Sequence, residues 1–141
     1  PHLDNSIHPK NGLLRKYNLI LFLNKNWQKK NGGCLNFYNK NNTNDKIHGK
    51  LSTSIMPIFN RCVIFDTSMN SWHSVERINK GKNLFRRSIQ IYYFVKEKKI
   101  NNKRFKVLYA PDKKQQKNKK ILNFIKIRSS NKNFQKVYKT K

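Results

Sequence analysis

The sequence predicts a mainly β domain, a sandwich or barrel, over residues 1–110. A basic tail that is short-helical or disordered follows over residues 111–141. Three observations carry this. Apolar and aromatic residues come in short runs of strand length, rich in β-branched and aromatic types. Clusters of Gly, Asn and Pro separate the runs at close spacing. The long 3.6-residue periodicities of an alternating α/β layout are missing from the first 110 residues.

The elements follow in order. Residues 2–4, His2-Leu3-Asp4, read as extended chain. Residues 17–23 form a nearly continuous apolar run, suited to a buried strand. Asn31-Gly32-Gly33 is turn chemistry. Residues 34–38 come next, with Leu35 and Phe37 alternating against Cys34, Asn36 and Tyr38. Residues 39–45 are a polar loop. Residues 46–56 form a weaker strand, stopped by Pro57. Residues 61–66 are short and β-branched at their centre. Residues 72–78 and 85–95 complete the set, joined by a loop carrying Lys80-Gly81-Lys82. Ala110-Pro111-Asp112 marks a break. Beyond it, Ile121, Leu122 and Ile125, with Phe124 beside them, form one face of a short amphipathic helix. The last dozen residues are expected to be mobile.

Composition bounds the function. The 141 residues suit one domain with a proper core. No apolar stretch approaches the roughly 18 residues of a membrane span. No secretory leader is visible, so a cytoplasmic location is expected. The two cysteines, Cys34 and Cys62, make no disulfide framework and lack metal-finger spacing; both read as small buried hydrophobes. The net charge of +26 first suggests nucleic acid. Yet Lys and Asn together supply 46 of the 141 residues. Asn gains nothing from phosphate, so compositional bias explains the excess better. The charge is also uneven, since residues 95–141 hold 17 basic and 2 acidic residues.

Chemistry enters with His2-Leu3-Asp4. In extended backbone, residues i and i+2 point the same way, so an imidazole and a carboxylate project together. His73 lies far along the chain inside an apolar strand. Two histidines and one carboxylate on one face of a metal form the facial triad of non-haem Fe(II) oxygenases. A chance His-x-Asp and a hydrogen-bonded core histidine would read the same way. Alternation in residues 85–95 places Arg86, Ser88, Gln90 and Tyr92 on one face. A guanidinium facing a barrel interior needs an anionic partner. That partner is either a bound carboxylate, or Asp66 or Glu76 of the chain itself. His8 and His48 have no evident partner and read as surface residues, and Asp66 as a strand-end residue.

At this point a resemblance becomes visible. The chain resembles the prolyl 4-hydroxylase-like branch of the 2-oxoglutarate/Fe(II)-dependent dioxygenases. The matching residues are Pro1-His2-Leu3-Asp4-Asn5-Ser6, the run from Tyr17-Asn18-Leu19 through Phe22-Leu23-Asn24 to Trp27, Gly32-Gly33-Cys34-Leu35, Phe59-Asn60-Arg61-Cys62-Val63-Ile64-Phe65, Trp72-His73-Ser74-Val75 and Arg86-Arg87-Ser88-Ile89. The resemblance implies a double-stranded β-helix of jelly-roll or cupin type. It implies His2, Asp4 and His73 as Fe(II) ligands and Arg86 as the anchor of the 2-oxoglutarate carboxylate, which Ser88 shares. It implies dioxygen as second co-substrate, admits L-ascorbate as accessory reductant, and implies hydroxylation of a prolyl or other amino-acid side chain with release of succinate and carbon dioxide. Relatives commonly carry a Tyr where this chain has Phe22, so Tyr17 or Tyr92 is expected to take over its contact with the co-substrate. In the family a helical segment and the first strands precede His-x-Asp. The chain therefore reads as the C-terminal half to two-thirds of such a domain, without its N-terminal part.

Two function classes remain at this level. One is an iron dioxygenase acting on a peptide, protein or small molecule. The other is a basic nucleic-acid-binding module, or an oxygenase acting on nucleic acid, with a degenerate iron site. In either case residues 111–141 could bind an acidic or nucleic-acid partner.

Overall fold

A computed structural model describes residues 1–8, 11–44, 46–79, 84–96 and 107–130. The expected loop around Lys80-Gly81-Lys82 and the last eleven residues lie outside the described residues.

Among the described residues eight strands and two α-helices follow one another: β1 His2–Leu3, β2 Leu14–Phe22, β3 Leu35–Lys40, β4 His48–Ile55, β5 Cys62–Asp66, β6 His73–Val75, β7 Ser88–Val95, β8 Leu108–Tyr109, α1 Lys113–Gln116 and α2 Lys119–Arg128. The strands form two antiparallel sheets, one ordered β4-β3-β6-β1-β8 and the other β5-β2-β7. The chain passes repeatedly from one sheet to the other, as in a jelly roll. The mainly β, jelly-roll-like expectation holds.

Period-2 alternation explains the layers. From β2, Ile20 and Phe22 turn inward and pack with Leu35 of the other sheet, joined by Phe37, Ile55, Val63 and Phe65. This cluster fills the space between the sheets. The opposite face of the three-stranded sheet exposes Ile64, Ile89, Ile91 and Tyr93. Cys62 also lies there and is exposed, which corrects the reading of both cysteines as buried; only Cys34 is. A second cluster, Leu3, Trp72 and Ala110 with Tyr38 and Leu108, covers the outer face of the five-stranded sheet. His48 joins it, with its ring 4.4 Å from Tyr38 and 6.2 Å from Trp72, so it is not a bare surface residue. His8 likewise meets the Phe94 ring edge-on at 5.0 Å.

The C-terminal part is more structured than its composition suggests. Strand β8 pairs with β1, and the Ala110 amide donates to the Pro1 carbonyl at 2.9 Å. Asp112 caps α1 through a reciprocal capping box with Gln115. Asn118 caps α2 by accepting from the Lys120 and Ile121 amides. No helix among the described residues is long and apolar enough to cross a membrane.

Candidate metal centre

Strand pairing builds the centre. In β1, His2 lies directly opposite His73 of β6. Residues opposite each other share a face, so the two imidazoles meet, with ring centroids 4.3 Å apart. Asp4, two residues beyond His2, projects to the same side. Its Oδ1 lies 3.4 Å from His2 Nε2 and its Oδ2 lies 3.6 Å from His73 Nε2. One ligand atom from each of the three residues lies within 4.8 Å of the others. Two imidazoles and one carboxylate, converging in this way, suit Fe(II).

The protonation states suit a metal as well. His73 Nδ1 sits 2.8 Å from the Ser71 carbonyl. A carbonyl only accepts, so Nδ1 carries the proton and Nε2 keeps its lone pair toward Asp4. Burial, followed by the nearby His2, pushes the His73 pKa down to about 4. The ring is therefore neutral near pH 7. Phe65 packs edge-on at 4.9 Å and keeps water from this side. Burial opposes ionisation of Asp4, but the His2 hydrogen bond and the charges of His73 and Arg15 outweigh it and hold the carboxyl well below the usual carboxylate range.

These shifts fix a pH dependence for the metal-free chain. The His73 pKa falls from 6.5 on unfolding to about 4 in the fold. Its contribution to stability is therefore present above pH 6.5 and lost as pH falls through about 4. Asp4 acts in the same direction at lower pH. Thermal melts of the chelator-treated chain should drop steadily over that window, and His73→Gln should flatten the slope. An unchanged slope in His73→Gln would show that His73 titrates freely in the fold.

Three further residues at the centre escaped the sequence reading. Asn18 Nδ2 donates to Asp4 Oδ2 at 2.6 Å. Arg15 lies 3.5 Å from the same oxygen. Tyr109 of β8 stacks on the His2 ring at 5.7 Å. Asn18 could have been found, because it is a polar residue at the inward parity of β2, in line with Ile20 and Phe22. Arg15 could not, because a β-bulge between Arg15 and Tyr17 breaks the alternation there.

Arg86 sits just before β7. Asn24 pins this segment: it accepts from the Arg87 amide at 2.5 Å and donates to the Arg87 carbonyl at 3.0 Å. The Arg86 guanidinium lies 4.9 Å above the buried Phe22 ring, and its Nε donates to the Gly33 carbonyl at 2.8 Å. Gly33 makes room for it, since a Cβ there would stand 3.2 Å from both Arg86 Cδ and the Trp27 ring. Neither Asp66 nor Glu76 forms an ion pair with Arg86 among the described residues. Its Nη2 is buried and has no hydrogen-bond partner among them. A buried guanidinium nitrogen without a partner is costly and suits a bound carboxylate. The residues therefore fit 2-oxoglutarate.

Ser88 lies opposite Phe22 and shares its inward face. Tyr17 does not join the pocket. It pairs with Asp66 and Tyr93 and is 44% exposed on the far face of the sheet, because its parity is opposite to that of Asn18. Tyr92 does face inward, but at the Asn18 end of the strand, where it carries Arg15 at 3.7 Å. The hydroxyl absent at Phe22 is thus replaced by neither tyrosine. The Phe22 ring under the guanidinium offers a cation–π contact instead.

No curated protein matches the chain at a significant level. The family model of the 2OG-Fe(II) oxygenase superfamily matches residues 1–94, the span that holds His2, Asp4, His73 and Arg86. With that match over most of its length, and with His2, Asp4 and His73 clustered so that they could hold a metal inside a jelly-roll-like fold, the chain belongs to the 2OG-Fe(II) oxygenase superfamily.

Proposed function

We propose that the chain hydroxylates an unactivated C–H bond of an amino-acid side chain, prolyl in the first instance, in a peptide or protein substrate. The observation that carries the oxygenase part is the pairing of the His2, Asp4 and His73 cluster with the unpartnered Nη2 of Arg86. Iron(II) and 2-oxoglutarate, when bound, supply with dioxygen the oxidation of the C–H bond, with release of succinate and carbon dioxide.

The chain's own residues do the rest. His2 and His73 present Nε2, and Asp4 a carboxylate, to one point. The Ser71 carbonyl fixes the His73 tautomer. Arg86 holds the distal carboxylate of the co-substrate and so orients its other end toward the histidines. Phe37 and Phe65 exclude water beside His73. No general acid or base is required, and the chain has only six acidic residues.

The choice of a peptide rests on the approach to the centre. A cleft of about 270 Å³ opens beside His2 and is lined by Tyr109, Ile121, Phe124 and Ile125 among others. The two helices whose residues form part of this wall also carry the exposed lysines Lys113, Lys114, Lys119, Lys120 and Lys126. An apolar side chain on an acidic segment suits such walls. The test incubates the iron-loaded chain and 2-oxoglutarate with acidic proline-containing peptides, with single-stranded DNA as a parallel arm. Gain of one oxygen atom on a peptide side chain, read by mass spectrometry, is expected. Oxygen gain on the DNA alone would overturn the reading in favour of a nucleic-acid oxygenase.

A further inference from the structure

The Asp4 carboxylate has two oxygens, and they stand in different surroundings. Oδ1 faces His2 Nε2 at 3.4 Å. Oδ2 lies 3.6 Å from His73 Nε2 but is also engaged from behind, accepting from the Asn18 amide at 2.6 Å and lying 3.5 Å from the Arg15 guanidinium. Asn18 is itself fixed from the other end, because its Oδ1 accepts from Arg15 Nε at 2.7 Å. The amide orientation is therefore dictated by charge: its NH₂ must face the carboxylate and its oxygen the guanidinium. Arg15 is held in turn by the Tyr92 ring, 3.7 Å from its Cζ.

The backbone shows how this arrangement is built. Strict alternation would turn Arg15 outward, since Asn18 points inward. The bulge between Arg15 and Tyr17 re-aims it. The bulge is tied down by Thr67, which is buried, with its hydroxyl donating to the Arg15 carbonyl and its amide to the Lys16 carbonyl at 3.1 Å. Asn18 itself is only 3% exposed and has no apolar role in the core it borders.

We propose that Asn18 is a positioning residue for the metal centre: it engages Asp4 Oδ2, with Arg15 and the bulge holding Asn18 in place, so that Oδ1 alone is offered to the metal. The proposal rests on the reading of His2, Asp4 and His73 as the metal ligands. A carboxylate held in this way binds in one orientation before the metal arrives. Without Asn18 the carboxylate can rotate or chelate through both oxygens.

The test uses the full chain with Co(II) as probe. Affinity is read by titration and carboxylate binding mode by infrared difference spectroscopy. Asn18→Leu keeps the shape and removes the amide. It is expected to weaken Co(II) binding about 10–100-fold, the range for changes in groups that support metal ligands. The wild-type infrared spectrum, which needs no variant to fold, is expected to show a one-oxygen carboxylate. A two-oxygen carboxylate in the wild type, or equal affinity in Asn18→Leu, overturns the proposal while leaving the metal site intact. Failure of the wild type to bind Co(II) at all would overturn the metal-site reading, and the proposal with it.

Discussion

Replacing Arg86 by Met is expected to reduce 2-oxoglutarate binding by between about 30-fold and several thousand-fold. The range follows from the cost of truncating one partner of a buried charge pair, about 2–5 kcal/mol. Met keeps most of the volume over the Phe22 ring and between Gly33 and Trp27, so the fold should survive. The variant should even relieve the metal-free chain slightly. Burial already lowers the Arg86 pKa, and its Nη2 has no partner among the described residues. A stability gain together with a binding loss is the signature of a group kept for a ligand. Arg86→Lys should recover little, because an ammonium cannot reproduce the planar fork and the Nε bond to Gly33. Calorimetric titration of the metal-loaded chain with 2-oxoglutarate, beside thermal melts of the metal-free chain, measures both effects. Unchanged binding in Arg86→Met would remove the co-substrate assignment.

The second large effect belongs to Asp4. His2, His73, Arg15 and Asn18 all converge on its carboxylate. Asp4→Ala should therefore do two things. It should weaken Fe(II) binding by more than about 100-fold, beyond what changes in supporting groups produce. It should also destabilise the metal-free chain by about 3–5 kcal/mol, because the half-hidden Arg15 guanidinium loses its anion. His73→Ala should match the first effect but not the second, since it strands no charge. Anaerobic Fe(II) titration and denaturant melts of the two variants separate these outcomes. Equal destabilisation by both would mean that Arg15 does not depend on Asp4.

The centre was legible in the sequence for a geometric reason. His2 and Asp4 stand two residues apart in extended chain, and strand parity alone puts them on one side. His73 also sits in a recognisable strand, and Arg86 lies just ahead of one, two residues before β7 begins. What could not be read were places where parity fails or where an element is too short to show a pattern. The bulge after Arg15 hides that residue from any alternating template. Tyr17 was misplaced for a related reason: a nearly continuous apolar run gives no hint of which parity faces inward, and the polar Asn18 turned out to mark it. Strand β8 is two residues long, and only its partner β1 makes it a strand. The exposed Cys62 shows the same ambiguity in a run whose two faces are both apolar. In the basic tail the face of Ile121, Leu122 and Ile125 announced α2, whereas α1 is only four residues long, too short for a periodicity, and was not read.

The most direct test of the account is Fe(II)-dependent formation of succinate from 2-oxoglutarate. It should be measured for the chain alongside His73→Ala and Arg86→Met. The account predicts succinate from the wild type only when Fe(II) and dioxygen are both supplied, and background levels from both variants. Equal succinate from all three, or none from a wild-type chain that demonstrably holds Fe(II) and 2-oxoglutarate, would contradict it.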